Sequence, residues 1–124
     1  MEITTFNPQV ITKDAESVAA IFEELGFVRR HDQKEIGEFG VRDIRMKDAG
    51  GFYLDISQPE GYERPDAVGI RMNVRDFDEA YELLTSRGFK NVYGDDKVMT
   101  KSSQSAFLIA PSGFGINLVK HIRK

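Results

Sequence analysis

The chain repeats itself, and that limits its possible folds more than any other feature. Moved along by 62 residues, half of its 124, the sequence falls on itself without a gap. Asp14 meets Asp76, Gly26-Phe27 meets Gly88-Phe89, and Gly51-Phe52 meets Gly113-Phe114. Between these markers Val18, Ile21 and Phe22 fall on Ala80, Leu83 and Leu84, and Leu54 and Ile56 on Ile116 and Leu118. One register holding across a whole half implies two copies of one supersecondary unit, residues 1–62 and 63–124.

Each half reads the same way. A strand at 5–12 or 67–74 leads to an aspartate, Asp14 or Asp76, where a helix N-cap belongs; Glu79 follows Asp76 at capping-box spacing. Apolar residues then recur at helical spacing: Val18, Ile21, Phe22 and Leu25 in one copy, Phe77, Ala80, Leu83 and Leu84 in the other. Gly26 and Gly88 stop the helices. Three further strands are expected at 27–31, 41–47 and 52–57, and at 89–93, 105–110 and 115–121, with a linker over 57–65 that holds Pro59, Gly61 and Pro65. The charged run 29–35 reads as a solvated loop. The fold class is therefore α+β: two tandem βαβββ modules related by a pseudo-two-fold axis, with a curved mixed sheet forming a cleft, in a single domain over 1–124.

Strand alternation divides the side chains. Leu54, Ile56, Ile116 and Leu118 face the helix-covered core. Tyr53, Asp55 and Ser57 turn the other way, as do Asn117, Val119 and His121, with Asn7, Gln9, Gly69, Arg71 and Asn73 from the opening strands.

Composition narrows the function. A net charge of −3 spread along the chain argues against nucleic acid as a partner. With no cysteine there is no disulfide frame, thiolate metal site or cysteine nucleophile. The opening residues lack a signal-peptide pattern, and no apolar run approaches bilayer length, so a cytoplasmic protein without membrane partners is expected. Open sheet edges favour a homodimer.

The order and duplication of these segments resemble the vicinal oxygen chelate superfamily, which includes glyoxalases, bleomycin resistance proteins and extradiol dioxygenases. The residues that carry the likeness are Ile11 to Asp14 leading into Phe22-Glu-Glu-Leu-Gly-Phe27, Val74 to Asp76 leading into Leu84-Thr-Ser-Arg-Gly-Phe89, and Ala110-Pro-Ser-Gly-Phe-Gly-Ile-Asn-Leu118. In the last segment Ala110 and Ser112 replace the acids of the family's Asp-Pro-Asp-Gly turn. The resemblance places the family's metal ligands at Asn7, Asp55, Gly69 and Asn117. Glycine has no side chain and asparagine offers only a neutral carbonyl, so no metal and no cofactor are expected. The two histidines, His31 and His121, match no ligand position.

The resemblance thus implies a metal-free small-molecule binder of the bleomycin-resistance type. Its ligand would lie in the inter-module or dimer cleft, lined by Asn7, Tyr53, Asp55, Arg71 and Asn117. Arg71 would clamp a carboxylate or phosphate, or pair with Asp55. A glyoxalase-type lyase, isomerase or dioxygenase with a non-standard metal site is the alternative, and a structural or regulatory domain the second. No catalytic residue can be assigned.

Overall fold

The structure is a computed structural model and describes residues 1–36, 41–99 and 103–122; of residues 33–36 and 98 only the backbone is described. Its elements run β1 (Ile3–Ile11), α1 (Ala15–Glu24), β2 (Val28–Ile36), β3 (Val41–Lys47), β4 (Tyr53–Pro59), β5 (Ala67–Val74), α2 (Phe77–Ser86), β6 (Lys90–Asn91), β7 (Val98–Met99), β8 (Ser103–Ile109) and β9 (Gly115–His121). The two tandem βαβββ modules are present, in an α+β fold. The chain forms two compact units, Asn7–Val68, and Met1–Phe6 together with Gly69–Lys124.

In the unit of residues 7–68 the strand order is β2-β3-β4-β1. β1 and β4 are parallel, with Gln9 opposite Asp55, and the other neighbours are antiparallel. The core holds Ala15, Ala19, Ile44, Met46, Leu54 and Ile56, with Val10, Val18, Phe22 and Phe27 packed against it. In the other unit the order is β5-β9-β8-β6, with β7 also paired to β8. Its core holds Val74, Phe77, Ala80, Ala106, Leu108 and Leu118, joined by Met72, Tyr81, Leu84 and Phe89.

The two cores share most of their positions under the 62-residue shift, and one exchange between them is compensated. Ala15 and Ile44 stand where the second unit has Phe77 and Ala106. The bulk moves from strand to helix while the pair's total volume changes little, the kind of swap a core tolerates.

Asp14 and Asp76 are N-caps, accepting from the backbone N–H of Ser17 and Glu79 at 3.1 and 3.0 Å. Past the helices Gly26 and Gly88 take φ of 104° and 93°, a region a side chain would resist.

Some elements differ from expectation. On α1 the fully buried residues are Ala15 and Ala19, whereas Ile21 and Leu25 are 57% and 68% exposed. The helix meets its sheet through small residues, so the apolar stripe is rotated from the one its large residues suggest. Leu83, the repeat partner of Ile21, is exposed as well. The charged run 29–35 is part of strand β2, not a loop. β4 extends through Pro59 into the expected linker. β6 stops after two residues. There the Asn91 side chain accepts from Tyr93 N at 2.9 Å and donates to Asp96 O at 2.7 Å, closing a turn where the strand was expected to continue. Among the described residues no helix is long and apolar enough to cross a membrane.

Candidate ligand-binding site

The polar group of most interest lies on the helix-free face of the 7–68 unit. β4 sends Leu54 and Ile56 into the core, so Tyr53, Asp55 and Ser57 point the other way; β1 sends Val10 toward the core and Asn7 and Gln9 away from it. That face is not open to solvent. Asp55 is 0% exposed, Gln9 2% and Asn7 7%. Burying such groups is costly unless they are hydrogen-bonded or paired.

Much of that cost is met by one constellation. Asp55 Oδ2 accepts from Asn7 Nδ2 at 2.7 Å and from Arg45 Nη1 at 2.6 Å. Arg45 sits on β3 directly across from Asp55, and its side chain keeps 16% exposure. Its guanidinium lies 4.2 Å above the Tyr53 ring, with the Lys47 ammonium 5.1 Å from the same ring. Tyr53 therefore orients the arginine by a cation–π contact.

Two amide acceptors remain. Asn7 Oδ1 and Gln9 Oε1 are buried with no hydrogen-bond partner among the described residues. The Asn7 amide cannot simply be turned over, because Nδ2 is committed to Asp55 and to Pro8 O at 2.9 Å. Arg45 uses one nitrogen on Asp55, and its other donors meet no acceptor among the described residues.

Of the sequence-expected site residues, Asn7, Tyr53 and Asp55 thus come together in one unit. Arg71 and Asn117 belong to the other, opposite each other on parallel β5 and β9. Arg71 Nε donates to Asn73 Oδ1 at 3.1 Å, with both residues buried and Asn117 half-buried. Sequence reasoning missed Arg45 and gave Gln9 no role. Arg45 was within reach: the turn after Lys47 sets Lys47 against Tyr53, and counting two residues away from the turn on each strand sets Arg45 against Asp55.

Solved structures share this architecture. Methylmalonyl-CoA epimerase from Mycobacterium tuberculosis matches with a TM-score of 0.71 at 18% identity, over 98% of this chain and 90% of that one. A glyoxalase/bleomycin resistance protein/dioxygenase superfamily member from Vibrio splendidus matches at 0.63 and 10% identity, over 96% and 99%. The chain has the fold of the glyoxalase/bleomycin resistance/dioxygenase superfamily. A methylmalonyl-CoA epimerase variant from Streptomyces coelicolor, in complex with 2-nitronate-propionyl-CoA, matches at 0.67 and 18% identity, over 98% and 100%. No family model and no curated protein matches the sequence.

The superfamily resemblance supplies a metal to be tested against these residues, and they do not fit it. Gly69 cannot be read as a displaced ligand position, since a Cβ there would stand 2.8 Å from the Gly115 carbonyl oxygen. Asp55 is engaged by Arg45, and an adjacent guanidinium opposes a divalent cation. Among the described residues no group of three or more His, Cys, Asp or Glu side chains is placed to hold a metal ion. His31 and His121 are exposed.

Proposed function

We propose that this protein binds a small molecule without a metal, through the helix-free polar face of residues 7–68. The observation that carries the reading is the Arg45–Asp55–Asn7 constellation on its aromatic support, Tyr53. A guanidinium held by a buried carboxylate and a ring, with further donors to spare, is suited to an anionic or carbonyl oxygen. Arg71 and Asn117 are proposed as ligand contacts of the other unit, and a homodimer as the assembly, which light scattering would read.

The test is calorimetric titration of the purified protein with small carboxylic acids and acyl thioesters, before and after treatment with a chelator. Binding that survives the chelator and falls about tenfold or more in Arg45→Gln supports the proposal, since a lost charge-assisted hydrogen bond is worth about 1.5–3 kcal/mol. Binding that requires an added zinc, nickel or manganese ion would overturn it.

The similar structures favour a second reading, an isomerase acting on an acyl-CoA. Fold alone does not choose between them, because one scaffold hosts many chemistries. Exchange of the α-hydrogen of methylmalonyl-CoA with solvent deuterium, followed by mass, tests it directly.

A further inference from the structure

We infer that the ligand is an acid that carries N–H donors beside its anionic group, as amino, amido or ureido acids do. This rests on the proposed binding site and narrows its ligand class. Asp55 and Arg45 pair through one hydrogen bond, yet the same face buries two carbonyl oxygens, Asn7 Oδ1 and Gln9 Oε1, that nothing in the described protein answers. They stand two residues apart on one strand and so share a face. Asn7 also shares the oxygen Asp55 Oδ2 with Arg45, which places the Asn7 amide beside the arginine.

A ligand that completes this array must accept at one end and donate at the other. A simple fatty acid would satisfy Arg45 and leave both amide oxygens unanswered, at the cost that buried unpaired acceptors carry. An alcohol or amine without an acid group would leave the guanidinium unused. A metal ion is a poor substitute, because both oxygens are neutral amide carbonyls next to an arginine.

The two unanswered oxygens also bear on the ligand-free protein. An acceptor whose partner arrives only with the ligand is a liability without it. Gln9→Met keeps the length and volume of the side chain and removes the unanswered oxygen. It should raise the ligand-free Tm by about 3 °C or more, the size expected when roughly 1 kcal/mol is recovered in a domain of this length.

The experiment pairs that measurement with matched acids. Phenylalanine and N-acetylphenylalanine are titrated against hydrocinnamate, and leucine against isocaproate, into wild-type protein and Gln9→Met. The N–H-bearing member should bind at least about tenfold more tightly than its partner, because a site built around buried acceptors rejects analogues that lack the donor. Gln9→Met should reduce that preference. If both members of each pair bind equally, the small-molecule reading stands and this inference falls. If none of the acids binds, both fall. A ligand-free Tm that drops in Gln9→Met shows that the folded protein already answers the Gln9 oxygen, and overturns the inference by itself.

Discussion

Asp55 has no solvent exposure, and the cation that answers it within its own unit is Arg45. The pair's geometry predicts an asymmetric response to mutation. Arg45→Met removes a charge from beside a buried carboxylate and should destabilise the protein by about 1–3 kcal/mol, read as a lower urea midpoint. Tyr53→Leu removes only the aromatic support and should cost less, about 0.5–1 kcal/mol. Equal losses in the two variants would mean that ring packing, not charge, dominates. The carboxylate, the amide and the tyrosine were legible in the sequence, because strand alternation alone separates them from Leu54 and Ile56. The arginine was not found that way. Its partner is fixed by hairpin register, a relation between two strands that no single-strand pattern contains. The two unanswered amide oxygens were equally hidden, since alternation gives the direction of a side chain and not what lies opposite it.

At the scale of elements, the charged run 29–35 shows how a solvated pattern also suits an edge strand. Arg29 Nη2 lies 2.6 Å from Glu16 Oε2 and Arg42 Nη2 lies 3.1 Å from Glu16 Oε1, so α1 is tied to β2 and β3; Asp32 bonds both arginines as well. Charges along an edge also discourage pairing with another chain. The two guanidinium groups hold the Glu16 carboxyl down to about 2 from an ordinary 4.5. A depressed carboxylate adds stability that is complete above its unfolded value and lost as pH falls through the folded one. The advantage of wild type over Glu16→Gln should therefore be present at neutral pH and fade between about pH 4.5 and 2. It should be modest, because Glu16 is 55% exposed. Urea titrations across that range check it, and about 1 M salt should shrink the neutral-pH difference, since the Debye length falls there to roughly 3 Å. The misplaced stripe on α1 has a similar origin. Large apolar residues mark a helical face in sequence, but a helix lying close to its sheet buries the small ones, and Ala15 and Ala19 carry no signal in a search for bulk.

For the whole molecule, the repeat was enough to give the fold, because one register accounts for both helices, both caps and both cores. It does not coincide with the compact units. Residues 1–62 and 63–124 are equal halves of the sequence, whereas Met1–Phe6 cluster with Gly69–Lys124. The reason lies at the start of β1, whose local contacts are with the beginning of α2. Glu2 O accepts from Arg75 N at 3.1 Å, Glu2 Oε1 lies 2.7 Å from Arg75 Nε, and the N-terminal ammonium stands 3.8 Å from Glu79. None of these contacts is repeated under the shift, so no comparison of the two copies announces them. They predict a one-sided effect of shortening the chain. Deleting residues 1–5 removes the acceptor for the Arg75 amide and a negative charge beside the Arg75 guanidinium. Hydrogen exchange at Arg75 and through the first turn of α2 should then quicken by about five- to tenfold, the size expected for one lost hydrogen bond near 1 kcal/mol. The antiparallel ladder between β3 and β4, which belongs to the other compact unit, should exchange as before. If both regions loosened equally, the opening residues would be stabilising the fold as a whole, and the assignment of Met1–Phe6 to the second unit would not describe how the molecule unfolds.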